Sequence, residues 1–156
     1  MRVVLYEPEI PPNTGNIARL CAATDCELNL VEPLGFSIDD KHLKRAGLDY
    51  WPHVRLFVHR DWPAFLNARA RQADPGRLVL AGARQGTPLH RFCFQAGDWL
   101  VLGPETRGLP DELYAAHPDH VRIPMRGRAV RSLNLSTAAG VLLWEALRQT
   151  GGFDGL

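Results

Sequence analysis

The sequence predicts a single-domain α/β fold, with a mostly parallel sheet flanked by helices. Three observations carry that expectation. Short apolar runs alternate with segments of helical periodicity along the whole chain. Those runs are apolar at successive positions, as strands covered on both faces require. At 156 residues the chain has the length of one domain. Such a domain buries roughly two-thirds of its unfolded surface and needs no disulfide or metal to hold it.

The elements follow in order. Residues 2–7 (RVVLYE) read as a first strand, ended by Pro8, Pro11 and Pro12. A helix is expected from near Asn13 or Thr14, whose side chains can cap free N–H groups. Ile17, Leu20 and Cys21 then fall on one face, and Thr24 continues the stripe. Residues 27–31 (ELNLV) read as a second strand and residues 37–46 as a short helix with Asp39 and Asp40 at its start. Residues 54–59 form a third strand, and residues 61–72 a helix with Pro63 in its first turn. Residues 77–82 (RLVLAG) and 98–103 (DWLVLG) are the clearest strands, each an apolar run stopped by glycine. A short helix over 110–116, a short strand over 120–123 and a last helix over 134–149 complete the pattern. Residues 1–150 read as the domain and 151–156 as a short tail. Ligands of such sheets gather at the carboxyl ends of the strands. The loops after Glu7, Gly82, Gly103 and Ile123 are therefore the expected site.

The last helix is apolar nearly all round, with Leu135, Ala138, Ala139, Val141, Leu142, Leu143, Trp144, Ala146 and Leu147. A helix of that kind is covered on more than one side. One face meets the sheet, and a second copy of the chain is the simplest cover for the other, so a homodimer is expected. The alternative is a helix wholly internal to a monomer.

Composition excludes several classes. Hydrophobic residues make up 46% and charged residues 22%, which is ordinary for a globular protein and not for a disordered one. No apolar run approaches the ~18 residues of a membrane span, and the first residues carry no signal-length apolar stretch. Cys21, Cys26 and Cys93 are an odd count without a CxxC pair, pointing to free thiols in a reducing cytoplasm. No metal is expected: the six histidines show neither HxxxH nor HExxH spacing and read as surface or structural. Ser132 lacks a GxSxG elbow, so a hydrolase triad is not expected. A net charge of +1 excludes binding of polyanions through bulk charge and leaves local patches. Sixteen of the 18 basic residues are arginine, the better bidentate partner for phosphate, although GC-rich coding produces the same bias.

Three motifs carry chemistry. Residues 13–19 (NTGNIAR) run from a polar turn into a helix, whose free N–H groups favour anions, with Arg19 about one and a half turns in. Residues 103–110 (GPETRGLP) follow a strong strand and place two glycines, two prolines, a carboxylate and a guanidinium in one stiff loop. This loop is neither a Walker A loop nor GxGxxG. Residues 123–136 (IPMRGRAVRSLNLS) set Arg126, Arg128 and Arg131 before Ser132, Asn134 and Ser136, a combination suited to phosphate or ribose contact. Taken singly, each also fits a plainer reading: a capped helix with a solvated arginine, a strand–helix connection, and a solvated basic loop.

Taken together and in this order, the motifs resemble the SPOUT superfamily of RNA methyltransferases, within it the TrmH-type ribose 2'-O-methyltransferases. The stretches LYEPEIPPNTGNIARLCAAT, RAGLDYW, GPETRGLP and RSLNLSTAAGVLLWEALRQ are similar to the small tRNA (cytidine/uridine) 2'-O-methyltransferases of the TrmL (YibK-like) group. The resemblance covers nearly the whole chain. It implies a deep trefoil knot near the C-terminus, S-adenosylmethionine as cofactor and an obligate homodimer. It also implies a substrate, the wobble nucleotide (cytidine or modified uridine 34) of tRNA anticodon loops, with leucine tRNAs foremost.

By position, the resemblance places the reaction on Asn13, Arg19, Glu105, Ser132 and Asn134. It places cofactor contacts at Gly82, Gly103, Ile123 and Ser132. RNA is expected on Arg126, Arg128 and Arg131, with Lys41, Lys44 and Arg45. Two features depart from the family pattern: the RGRAVRS loop, and Trp144 where tyrosine is common. Methylation of rRNA ribose, or RNA binding without catalysis on the same fold, remain the alternative readings.

Overall fold

The computed structural model describes residues 1–39 and 50–156. Most of the helix expected over 37–46, with Asp40, Lys41, Lys44 and Arg45, lies outside the described residues. Among those described, seven strands form one sheet: β1 (Arg2–Tyr6), β2 (Glu27–Val31), β3 (Arg55–His59), β4 (Leu78–Gly82), β5 (Thr87–Pro88), β6 (Trp99–Leu102) and β7 (His120–Arg122). The helices are α1 (Pro11–Ala23), α2 (Trp62–Ala70), α3 (Asp111–Ala116) and α4 (Leu135–Gln149), with 3-10 turns at Trp51–His53 and Leu89–Arg91.

The strand order is β3-β2-β1-β6-β4-β7-β5, and every pairing is parallel. Parallel neighbours need crossover connections, which is why helices separate most strands in the chain. Side chains alternate between two covered faces. Val3, Leu5, Leu28, Leu30, Leu100 and Leu102 face α1 and α4. Val4, Leu80 and Val101 face the other way, against Phe65 of α2 and Leu109. The central strands β4 and β6 are covered on both faces and carry no polar side chain, whereas β3 at the edge is largely exposed.

Three details differ from the expectation. Helix α1 begins at Pro11, capped by Ile10 without any side-chain bond, so Asn13 and Thr14 are not its caps. The two prolines supply pre-set φ angles and lack the N–H groups that a cap would satisfy. Asn13 and Thr14 are thereby carried inside the first turns and buried, at 6% and 0% exposure. The buried face of α1 runs through Ile17, Ala18 and Cys21, leaving Leu20 half-covered. Strand β5, two residues long, was not anticipated. The helices expected from 61 and 134 do begin there: Asp61 caps α2 by accepting from Ala64 N (2.7 Å), and Asn134 caps α4 by accepting from Ser136 N (2.9 Å) and Thr137 N (3.3 Å).

Helix α4 buries Ala139, Leu142, Leu143, Ala146 and Leu147. Its other side is apolar and open: Trp144 is 54% exposed and Val141 38%. The chain beyond α4 folds back, with Phe153 against Trp144 (ring centroids 4.7 Å apart) and Gly152 N donating to Leu147 O (2.8 Å).

The loop after β4 closes tightly over β7. Gly86 has φ +107°, and a Cβ there would meet the carbonyl carbon of His120 at 2.8 Å, so this turn requires glycine. Arg122 Nε donates to Gly86 O (3.2 Å). At the opposite ends of the strands, Arg77 ties the starts of β4, β6 and β7 together. It donates to both oxygens of buried Asp98 (2.9 and 2.8 Å), to Asp119 (3.1 Å) and to Cys93 O (3.0 Å).

Candidate active site

A crevice of about 580 Å³ opens where β4, β6 and β7 end. That is the size range of small-molecule and cofactor sites. Its floor is apolar: Leu102, Val121, Ile123, Leu135, Ala138 and Leu142. Its walls are loop backbone after Gly82, Gly103 and Ile123, and its rim carries Asn13, Glu105, Arg107, Arg131, Ser132 and Asn134. The three motifs, scattered over 120 residues of sequence, converge here.

The β6 loop is shaped by glycine. At Gly103 a Cβ would collide with Leu109 N and lie 2.6 Å from the Gly108 carbonyl carbon. Gly108 has φ +70°, and its N–H donates to Pro104 O (3.0 Å), folding the loop back on itself. On the β4 side, a Cβ at Gly82 would lie 2.6 Å from Gln85 O. Tyr114 supports this wall by donating to Ala81 O (2.9 Å). Burial, the largest effect on it, raises the phenol's pKa and keeps it a donor.

A chain of hydrogen bonds joins the motifs. Glu105 accepts from Glu9 N (2.8 Å), Ile10 N (3.1 Å) and Asn13 Nδ2 (3.2 Å). Asn13 Oδ1 in turn accepts from Asn134 Nδ2 (3.0 Å), and Asn134 Oδ1 caps α4. Thus Asn13 connects the β6 loop to the last helix. Glu105 has its oxygens engaged by three donors, which suits a structural anchor and not a proton acceptor.

Of the residues expected to act, Asn13, Glu105, Ser132 and Asn134 line the crevice, as do Gly82, Gly103, Ile123 and Arg131. Arg19 does not join them. It stands on the exposed side of α1 with its guanidinium over the Tyr50 ring (5.9 Å to the centroid), and Tyr50 donates to Gly15 O (3.0 Å). Arg126 and Arg128 are exposed in the loop after β7. Three residues beside the crevice carry no expected role from sequence: Glu7, Glu9 and Thr106, which meet Arg107, the guanidinium of the 103–110 motif, and its loop. Arg107 pairs with Glu7, whose φ of +47° is uncommon for a residue with a Cβ, and lies 3.8 Å from Glu9. For Glu7 and Glu9 the one signal in the sequence is charge in a loop expected at the site; Thr106 carries none.

A family model described as SpoU rRNA Methylase family matches residues 1–144. The chain belongs to the SpoU methylase family. A relative from Burkholderia cenocepacia, named tRNA (cytidine(34)-2'-O)-methyltransferase, is 51% identical over 155 residues, 98% of this chain and 97% of its own. A solved structure concerned with 2-OH methylation of C/U34 on tRNA superposes with a TM-score of 0.88 at 49% identity, covering 95% of this chain and 94% of that one. The SpoU methyltransferase AviRb from Streptomyces viridochromogenes, in complex with AdoMet, superposes with a TM-score of 0.81 at 27% identity, covering 96% of this chain and 60% of that one.

Proposed function

We propose that this chain transfers a methyl group from S-adenosylmethionine to the ribose 2'-hydroxyl of nucleotide 34, a cytidine or modified uridine, in tRNA, with leucine tRNAs as its substrates. The observation that carries this reading is 51% identity, sustained over 98% of the chain, with an enzyme named for that reaction. Near-complete coverage in both directions favours it over rRNA methylation. The convergence of all three motifs on one crevice favours an enzyme over a binding protein.

The crevice suits the cofactor. An apolar floor fits the adenine and methionine carbons, and the backbone of Gly82, Gly103 and Ile123, with Ser132 at the rim, offers polar contacts. Once bound, the cofactor supplies a sulfonium methyl that is electrophilic without a metal. The protein's share is alignment and removal of one proton: the reacting atoms must be held about 3–3.5 Å apart. Asn13, Glu105 and Asn134 hold the loops that set this distance. Arg19, on the exposed side of α1 and outside the crevice, clamps the RNA phosphate. A guanidinium holds its proton too firmly to be a good general base. Arg126, Arg128 and Arg131, with Lys41 and Arg45, contact an anticodon loop through phosphates and splayed nucleotides.

The reading extends to architecture. Residues 1–150 form the methyltransferase domain. The segment from β7 into α4 passes under the loops after β4 and β6 as a deep trefoil knot, supported by how closely those loops close at Gly86 and Gly103. The open apolar side of α4 supports a homodimer. A tRNA substrate places the enzyme in the cytoplasm; no helix among the described residues is long and apolar enough to cross a membrane.

Incubating the protein with labelled cofactor and separate tRNA and rRNA pools, then mapping the methylated nucleotide, tests the assignment. Label on the ribose of tRNA nucleotide 34 is expected. Label confined to rRNA, or none, overturns it. In the same assay Arg19→Ala and Arg19→Lys are expected to lose turnover, and near-normal rates in both would remove Arg19 from the mechanism.

A further inference from the structure

We infer that Glu9 is a positioning residue, half of a reciprocal clasp that sets the distance between the loop after β1 and the loop after β6. The inference rests on the methyltransferase reading above. Glu105 accepts from the main-chain N–H groups of Glu9 (2.8 Å) and Ile10 (3.1 Å). Glu9 answers in the opposite direction: its carboxylate accepts from Thr106 N (3.1 Å) and from Thr106 Oγ1 (2.8 and 3.0 Å). Each loop thus anchors the other's backbone through a carboxylate, across 96 and 97 residues of sequence.

Neither half is redundant. Without Glu9, the loop is held to its neighbour by Glu105 and, at the exposed rim, by the Arg107–Glu7 pair alone. A second bond pair running the other way fixes the tilt as well as the separation. The loop so fixed forms the crevice wall from Gly103 to Gly108, and the loop facing it leads directly into Asn13. Arg107 brings a cation to the Glu9 side of the clasp. It is paired with Glu7 and 3.8 Å from Glu9, so the clasp is balanced locally. Carboxylate acceptors make stronger bonds than neutral ones, which suits an anchor on an exposed rim.

The consequence is geometric. Loss of the Glu9 half lets the β6 loop tilt, and a displacement of about 1 Å between reacting atoms costs on the order of 100-fold in rate. The test uses the full-length protein as Glu9→Ala, Thr106→Val, Thr106→Ser and the double Glu9→Ala/Thr106→Val. Turnover of tRNA is measured together with amide hydrogen exchange of residues 103–108. Glu9→Ala and Thr106→Val are expected to lower kcat by about 100-fold and about 10-fold, with faster exchange across the loop. Thr106→Ser keeps the hydroxyl and is expected to restore kcat to within about threefold of the parent. The double variant is expected to be no slower than Glu9→Ala, since both remove one clasp. Should Glu9→Ala not fold, the valine–serine pair at Thr106 still decides. Unchanged exchange in Glu9→Ala, or in Thr106→Val if Glu9→Ala fails to fold, overturns the clasp, whether or not the parent methylates tRNA. Equal kcat in Thr106→Val and Thr106→Ser overturns its role in positioning, and an inactive parent overturns the methyltransferase reading instead.

Discussion

Replacing Asn13 by aspartate changes one nitrogen to oxygen at the junction of all three motifs. Asn13 is 6% exposed, its Nδ2 lies 3.2 Å from Glu105 Oε1, and its Oδ1 accepts from Asn134. The substitution leaves the Asn134 bond in place and turns the Glu105 bond into a contact between two carboxylates. Losing a bond to a charged acceptor costs about 1.5–3 kcal/mol. Two charges about 4 Å apart add about 4 kcal/mol of repulsion at an effective dielectric constant of 20.

Protonation limits the total. A proton held by the pair restores a donor, and keeping it at pH 7 against a free aspartate of pKa about 3.9 costs about 4 kcal/mol. Asn13→Asp is therefore expected to lose between about 1.5 and 4 kcal/mol at pH 7. The sign of its pH dependence follows. The folded pair retains a proton that the unfolded chain releases, so stability relative to the parent falls as pH rises above 4. The slope is at most about 1.4 kcal/mol per pH unit. Urea unfolding of both proteins at pH 5, 6, 7 and 8, compared as differences, reads it directly. A difference below about 0.5 kcal/mol at pH 8, or one flat from pH 5 to 8, refutes the reasoning, since the expected loss is several times larger.

Other consequences are tested more simply. Asp98 is 1% exposed and accepts from Arg77 and from Gln95 N (2.8 Å); Asp98→Ala leaves Arg77 with Asp119 and Cys93 O as partners and Gln95 N without its acceptor, and is expected to cost about 1.5–3 kcal/mol in thermal or urea unfolding. It lies at the end of the sheet away from the crevice, and turnover per folded molecule is expected to hold. His59 and His117 have pKa values lowered chiefly by burial, His117 further by Arg69 and His120. Their stabilising contribution is complete above about pH 6.5 and is lost as pH falls through the lowered folded values. The parent's urea midpoint is expected to drop toward pH 5, and His59→Gln with His117→Gln to flatten that drop. If Arg126, Arg128 and Arg131 each meet a phosphate of a single-stranded loop, log affinity for tRNA falls against log salt with a slope of about −2 from these three. Each arginine-to-alanine change then removes about 0.7 of it, and a flat salt response refutes the patch.

Strands and helices were legible because their signals are local. The runs at 2–7, 77–82 and 98–103 are apolar on both faces because both faces of β1, β4 and β6 are covered. Asp61 and Asn134 announce their helices as caps. The start of α1 was misplaced for a reason equally local: Asn13 and Thr14 look like caps, but Pro11 and Pro12 begin the helix earlier and leave Asn13 for a tertiary role. Strand β5 is too short to show a period at all.

The sequence by itself determined the alternation of strands and helices, the Gly-cornered loops at the strand ends and the residue types available to the site. Only the tertiary structure decided who meets whom. Glu105 answers the backbone of Glu9 and Ile10, Asn13 bridges Glu105 to Asn134, and Arg19 turns to Tyr50 instead of the crevice. Periodicity and capping act over a few residues and leave a trace in composition. A hydrogen bond across 96 residues depends on which strands lie side by side, and that is settled by packing the whole sheet at once.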